Sequence, residues 1–276
     1  MKLKTQLSEK IQRLIDENRS DWPATVLAVQ AEFSGLVRDS ATVKALLLER
    51  LTEVKEYKDD KSELVGNDII LVRGEGFAIS LRYAESTVNS NLATNSDVFF
   101  IAALDRPLKY RCFTPVQRFD LNVFDPEVQL IEQLPDEAPA MSVVKFDDAQ
   151  TLFEILVDQP SKIMRLVLSK PPTLQTTQLW SFSRQTLRPL GMSASHYRDT
   201  AAVHVCEALA EISSDTSVAP LTQLAAAAPS HFVRWAAIKA LANIDADLAL
   251  PVIVSAQADI HPHVRSAALA AEQQLI

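Results

Sequence analysis

The chain has 276 residues, which is enough for two domains of ordinary size with separate hydrophobic cores. Apolar residues make up 47% of it and charged residues 22%, a balance typical of folded globular proteins rather than disordered ones. The net charge is -8 and no segment forms a basic arm, so attraction to nucleic acid or to an anionic membrane is not expected.

The start of the chain and its cysteines favour a cytoplasmic location. The first ten residues lack the apolar run of a signal peptide, and the longest apolar run, residues 98–104, is too short to cross a bilayer. Cys112 and Cys206 are far apart in sequence, which is typical of small buried hydrophobic residues in a reducing compartment.

Residues 1–62 have the pattern of helices. Leu3, Leu7 and Ile11 recur at four-residue steps and predict an amphipathic helix. Asp21 followed by Pro23 predicts the start of a second helix, because aspartate caps helix N-termini and proline is tolerated in the first turn. A third helix is predicted from residue 39 onward, and the charged run 53–63 is interpreted as its solvated end and a linker.

The period of the pattern changes to two over residues 63–190. Residues 77–83 alternate between apolar and polar or small side chains, and Gly74 and Gly76 before them predict a tight hairpin. Residues 98–104 predict a strand that is buried on both faces. Further strands are predicted at residues 108–112, 119–123, 128–130, 141–146, 164–168 and 179–182, with a helix possible at 149–157. The spacing favours an antiparallel β-sandwich or barrel.

Residues 191–276 contain an internal repeat. Arg198, Arg234 and Arg265 occupy matching positions, and each is followed by small residues that allow helices to pack closely. The segments 233–244 and 264–268 resemble the HEAT-like repeats of the phycobilisome-lyase type. This resemblance implies that the three arginines are structural and bridge neighbouring repeat units.

The central region resembles a cupin-like barrel that lacks the metal-binding histidines. All five histidines of the chain lie after residue 195. A site built from two histidines and one carboxylate therefore cannot be assembled within residues 63–190. No cofactor is predicted for this region.

Three of the histidines form a candidate site within the repeats. His231, His261 and His263 lie at predicted helix starts in successive repeats, and equivalent positions of stacked repeats come close together. No acidic residue follows them directly, and polar side chains at helix starts commonly act as caps. The sequence therefore favours caps in solvated turns over metal ligands for these three residues.

Four residues of the β-rich region are candidates for ligand binding: Arg82, Tyr110, Arg111 and Arg118. They are expected to line the mouth of the barrel, although arginines alternating on an exposed strand face are also common. The glycine-rich phosphate loop and the Gly-x-Ser-x-Gly elbow are both missing from the sequence, so neither chemistry is indicated.

The predicted fold class is an α+β multidomain protein with N-terminal helices (1–62), a central antiparallel β-domain (63–190) and C-terminal HEAT-like repeats (191–276). The first functional hypothesis is a non-enzymatic protein-interaction or regulatory module that binds another protein. A homodimer through an edge strand is also predicted. A second is a small-ligand-binding or metal-free cupin-like enzyme domain with the repeats as a docking appendage. A third is an accessory protein that contributes histidines to a metal site. A closed interior filled with apolar side chains would disfavour the second hypothesis, and an open cavity lined by Arg and Tyr would favour it.

Overall fold

The structure is a computed structural model that describes residues 2–56, 64–65, 68–86, 91–195 and 197–275. It confirms the predicted α+β fold with N-terminal helices, central antiparallel sheets and C-terminal helices. The chain folds into two compact units. The first unit comprises Met1–Phe119, Glu127–Gln175 and Phe182–Pro189, and the second comprises Asp120–Pro126, Thr176–Ser181 and Leu190–Ile276.

The first unit begins with three helices, α1 (Leu3–Glu17), α2 (Trp22–Arg38) and α3 (Ser40–Glu56). The predicted start of α2 is confirmed, because the Asp21 side chain accepts a hydrogen bond from the backbone of Ala24 at 3.1 Å. These helices pack in the same compact unit as the sheets. The predicted division into three domains stays a prediction, and its boundary at residues 62–63 lies outside the described residues.

Two antiparallel sheets complete the first unit. The strands of this unit are β1 (Leu64–Val65), β2 (Asp68–Gly74), β3 (Phe77–Ala84), β4 (Leu92–Ala93), β5 (Val98–Ala103), β6 (Leu108–Pro115), β7 (Leu130–Glu132), β8 (Asp136–Ala138), β9 (Val144–Phe146), β10 (Leu152–Leu156) and β11 (Ser161–Leu168). The short strand β4 belongs to neither of the two sheets. The main sheet has the order β1-β2-β3-β11-β5-β9. The second sheet has the order β10-β6-β7, with β8 also paired to β6.

Both faces of β5, a strand of the main sheet, are buried. Phe100 and Ala102 of β5 belong to the core that includes the helices α1–α3. Ile101 and Ala103 of the same strand belong to a second core, which also contains Leu108 of β6. The prediction of a strand covered on both sides at residues 98–104 is therefore confirmed for Val98–Ala103. We call the face of the main sheet that contacts the second core its inner face.

The hairpin between β2 and β3 turns at the predicted glycines. Gly76 has a φ of 76°, which a side chain would disfavour. A Cβ on Gly74 would lie 2.0 Å from the Phe77 ring, so this position also requires glycine.

Two sequence predictions in this region were wrong. Residues 149–157 contain the strand β10 rather than a helix, because five consecutive residues of β10 pair with β6. Residues 119–123 form a turn rather than a strand. Asp120 accepts a hydrogen bond from the backbone of Asn122 at 2.8 Å, a local contact that favours a turn over a sheet ladder.

The second unit consists of the repeat helices and two strands. Its elements are β12 (Gln178–Phe182), β13 (Pro189–Ala194), α4 (Tyr197–Ile212), α5 (Val218–Ala227), α6 (His231–Ile244), α7 (Ala246–Ala256) and α8 (Pro262–Leu275). Ala237, Ala249 and Ala268 are fully buried in the core of these helices, as the close packing of repeats requires. In the described parts of the chain, none of the helices has the length and apolar character that crossing a bilayer requires.

Arg234 joins two turns of the repeats. Its guanidinium binds both carboxylate oxygens of Asp259 at 2.7 Å and donates to the carbonyls of Ala228 and Pro229 at 2.8 and 3.0 Å. It thus links the turn before α6 to the turn before α8. Arg265 donates to the carbonyls of Asp259 and Ile260, whereas Arg198 is exposed.

Replacing Arg234 by alanine should destabilise the second unit by about 3–5 kcal/mol, because the largely buried Asp259 carboxylate would lose its countercharge. Urea unfolding followed by circular dichroism measures the change. The matched control is Arg198→Ala, which should leave the midpoint unchanged. Equal effects of the two substitutions would contradict the assigned role of Arg234.

Candidate functional site

A cavity of about 720 Å³ lies between the two sheets of the first unit. One wall is polar and consists of Asp68, Arg82 and Arg165. Ile163 and Ile101 line the same sheet directly beside Arg82 and Arg165. The facing wall is apolar and is formed by Phe153, Ile155 and Val157, on and next to β10. We refer to this space as the arginine cavity.

Strand register brings the three polar residues together. Asp68 of β2 lies directly opposite Arg82 of β3. Arg165 lies on β11, which pairs with β3 on its other side. Its neighbours Met164 and Leu166 belong to the core on the helix side of the main sheet, so Arg165 projects from the opposite, inner face.

Asp68 carries the countercharge for both arginines. Its side chain is only 2% exposed, and its two carboxylate oxygens bind Arg82 Nε, at 2.6 Å, and Arg165 Nη2. Burial, with a smaller contribution from Arg82, lowers the pKa of Arg165, while Asp68 opposes this change. Within the described residues, the buried Arg165 Nε has no hydrogen-bond partner. The wall carries two positive charges and one negative charge, so it is cationic overall. Among the residues that the structure describes, the N–H of Arg165 Nε is a hydrogen-bond donor that remains unused.

The other carboxylates near the cavity do not neutralise this wall. Glu154 is paired with Arg184, whose Nη2 lies 3.3 Å from its Oε2. Glu85 is exposed. The arrangement can therefore accept an anionic group against Arg82 and Arg165 and an apolar body against the facing wall.

Of the four predicted binding residues, the structure places only Arg82 in the arginine cavity. The Tyr110 hydroxyl donates to Asp136 at 2.7 Å, and burial together with this contact raises its pKa to about 12. Arg111 is paired with Glu132, and Arg118 binds both carboxylate oxygens of Asp148. These three residues are engaged elsewhere.

Asp68 and Arg165 were missed by the sequence analysis. The signal for Arg165 was present, because it is a single charge inside the apolar run 163–168, which contains the predicted strand 164–168. An arginine that is partly buried in such a strand favours an anionic partner, so this position indicated an unidentified carboxylate elsewhere in the chain.

Replacing Asp68 by asparagine should destabilise the first unit by about 1–3 kcal/mol, because two arginines would then face each other without an anion. Chemical unfolding of the purified variant measures the change. The control is Asp136→Asn on the exposed Tyr110 contact, which should behave like the parent protein. A parent-like Asp68 variant would refute the central position of this carboxylate.

The second unit contains a cluster of three histidines. His231 is the first residue of α6, while His261 and His263 flank Pro262, the first residue of α8. One ring nitrogen from each lies within 4.8 Å of the others. The rings of His231 and His261 are stacked, with centroids 3.6 Å apart and planes at 3°.

The environment of His231 differs from the solvated turn that was expected. His231 is 6% exposed, and burial, followed by the proximity of His261 and His263, lowers its pKa to about 4. His261 does act as a cap, since its Nδ1 accepts from the His263 backbone at 3.3 Å. Its Nε2 donates to the carbonyl of Asn122 at 2.7 Å.

A second cavity, of about 450 Å³, adjoins this cluster within the second unit. His231 and His263 form part of its wall, together with Trp235, Phe232 and Met192. The two residues of the cluster therefore face a space that small molecules or water can enter.

The comparison with protein families confirms the repeats. The family described as HEAT repeats matches residues 191–272. This range agrees with the predicted repeat region of residues 191–276. No curated protein matches the chain.

The chain is also similar to several solved structures, all at low identity. A hydroquinone 1,2-dioxygenase from a Sphingomonas species, solved with 4-hydroxybenzoate bound, is 12% identical, with 40% of this chain and 70% of that chain covered and a TM-score of 0.30. A cupin-superfamily sugar phosphate isomerase from Silicibacter pomeroyi is 8% identical, with coverages of 46% and 75% and a TM-score of 0.26. A helix-turn-helix transcriptional regulator from Vibrio cholerae is 11% identical, with coverages of 61% and 98% and a TM-score of 0.25.

Proposed function

We propose that the first unit is a binding domain for a small organic anion with an apolar body. The observation that carries this proposal is the arginine cavity, in which Arg82 and Arg165 face an apolar wall across about 720 Å³. An open cavity of this kind was the feature that favours the ligand-binding hypothesis over a closed, apolar-filled interior. Its volume lies within the range of about 300–1,000 Å³ that small-molecule sites occupy.

The chemistry of the wall supports an anion rather than a neutral ligand. Guanidinium groups present several N–H donors in a planar fork that suits carboxylate and phosphate oxygens. Asp68 binds both Arg82 and Arg165 and so holds them in place before a ligand arrives. It neutralises only one of the two positive charges, which leaves the other to attract the ligand.

The proposed activity is binding without catalysis. We infer that the first unit is a cupin-like domain without a metal site. We also propose that the repeats are of the phycobilisome-lyase type and that the protein is cytoplasmic. An isomerase or another metal-free enzyme using the same cavity is the alternative. Turnover of a bound ligand would distinguish it from a binding protein.

The purified chain should bind octanoate at least about tenfold more tightly than octanol, because only the carboxylate makes a charge-assisted hydrogen bond worth about 1.5–3 kcal/mol. Displacement of fluorescent anilinonaphthalene sulfonate measures both affinities. The substitution Arg165→Gln should remove the preference for the carboxylate. The matched control is Arg118→Gln, which removes an arginine paired outside the cavity and should retain the preference. Equal affinity for the two ligands, or an unchanged preference in the Arg165 variant, would contradict the proposal.

A second function, binding of another protein through the repeats, is favoured by the family match at residues 191–272. HEAT repeats commonly present an extended surface to a partner chain. Leu248 and Val254 of α7 and Leu269 of α8 have side chains that are roughly half exposed. A homodimer through an edge strand of the β-domain is the alternative use of an exposed surface. Strand β7 lies at one end of the second sheet and carries the half-exposed Ile131.

If β7 joins two copies of the chain, light scattering should give about twice the monomer mass of 30.5 kDa. The substitution Ile131→Lys should convert the dimer to a monomer, because a lysine on an edge strand opposes further strand pairing. The control Leu248→Lys on α7 should remain dimeric. A monomeric parent protein would exclude the homodimer. If only the Leu248→Lys variant is monomeric, the dimer interface lies on the repeats and not on β7.

A further inference from the structure

We propose that His231, His261 and His263 form a binding site for a divalent transition-metal ion of the zinc class. The three side chains come from the starts of two helices, α6 and α8, and meet only because the repeats stack. Their nitrogens already lie within 4.8 Å of one another. Nothing in the arginine cavity contributes to this site, so the inference stands independently of the function proposed above.

The imidazole of His261 is oriented by a backbone carbonyl. Its Nε2 donates to the carbonyl of Asn122 at 2.7 Å, and the His263 ring lies near the backbone of Phe124. The lone pair of His261 is then on Nδ1, which accepts the His263 backbone N–H at 3.3 Å, a long contact that a metal ion would replace. Metal-binding histidines are typically held in this way by a carbonyl or carboxylate on their second nitrogen. The segment 120–126 therefore supplies the outer contacts that such a site needs.

His231 also keeps its lone pairs accessible. The amide nitrogen of Gln178 lies 3.0 Å from its Nδ1 and 3.2 Å from its Nε2. An atom nearly equidistant from both ring nitrogens lies over the face of the ring, because a hydrogen bond along one lone pair would bring it close to that nitrogen alone. His261 is stacked on the same ring at 3.6 Å. These contacts fix the place of the ring without using either nitrogen in its plane.

Gln178 provides an independent sign that a ligand belongs here. Its side chain is completely buried, and its Oε1 has no hydrogen-bond partner among the described residues. A buried acceptor without a donor is unfavourable, and such groups in folded proteins call for a water or ligand. Three histidines leave the fourth position of a tetrahedral ion to water. We assign the proton of that water as the missing donor to Gln178 Oε1.

The donor set selects the class of metal. Three neutral imidazoles and no carboxylate suit zinc, copper, nickel or cobalt, whereas magnesium and calcium prefer oxygen ligands. The cavity beside His231 and His263 gives the ion and its water a path of entry.

Metal binding must separate the stacked rings. Lone pairs in two parallel planes cannot meet at one ion, so one of the rings His231 and His261 has to turn about its Cβ–Cγ bond. Ligand nitrogens at about 2.1 Å from a tetrahedral ion are about 3.4 Å apart. The ring nitrogens of the three histidines now lie within 4.8 Å of one another, so they would have to move closer together. The movement required is a side-chain rotation and leaves the helices in place.

The test is equilibrium dialysis of the chelator-treated full-length chain against zinc chloride, with the metal measured by elemental analysis. We expect one equivalent of zinc per chain. His261→Ala and His263→Ala should each weaken zinc binding by more than about a hundredfold. Loss of a residue that only orients a metal ligand weakens binding by about 10–100-fold, and loss of a ligand itself weakens it more. The matched control is His204→Ala, which removes an exposed histidine paired with Glu207 and should bind like the parent chain.

Cobalt substitution tests the geometry separately. Four-coordinate Co(II) has intense visible absorption bands, and six-coordinate Co(II) has weak ones. Strong bands that disappear in the His263 variant, with an unchanged far-ultraviolet circular dichroism spectrum, would support the site. Failure to retain zinc, equal zinc binding by the His263 and His204 variants, or weak cobalt bands would overturn it.

Discussion

The carboxylate of Asp68 is almost fully buried in the main sheet, so its negative charge needs cationic partners on the neighbouring strands. Arg82 and Arg165 supply them from the inner face, where their side chains remain 41% and 30% exposed. Asp68 binds one arginine with each of its carboxylate oxygens. The polar wall of the cavity is therefore built around one buried carboxylate, and its residual positive charge follows from that carboxylate binding two guanidinium groups.

The repeats meet the same requirement with different residues. Arg234 is nearly buried, and it is satisfied by a carboxylate and two carbonyls from the turns on either side of the helix pair. Arg198, at the matching position of the first repeat, is exposed. The resemblance predicted a common structural role for the repeat arginines, but a full set of buried contacts is found at Arg234. Position within the stack decides whether the guanidinium is enclosed.

Much of the fold could be predicted because local signals and packing agree. Residues 98–103 are apolar on both sides, and they lie between two cores. The segment 149–157 was ambiguous because its apolar spacing fits a helix as well as a strand, and only its pairing with β6 decides between them. The segment 119–123 alternates like a strand, yet Asp120 closes a turn there.

The sites were harder to predict, because they depend on contacts between distant parts of the chain. Arg82 was identified by its place on a strand, but its partners Asp68 and Arg165 could be assigned only from strand register. The three histidines were recognised as equivalent repeat positions. Their burial, and the contacts with Gln178 and Asn122, come from segments far away in sequence. Periodicity carries no information about such contacts.

Asp259 has a consequence for the rigidity of the turn before α8. Its carboxylate binds the Arg234 guanidinium and also accepts the backbone N–H of His261 at 2.7 Å. The main chain that presents His261 is thus pre-organised before any ligand arrives, and ordering it adds little entropic penalty to binding. Such a backbone cannot spread to accommodate a larger coordination shell. Discrimination between ions at this position would then arise from the stiffness of the scaffold as well as from the chemistry of the imidazoles.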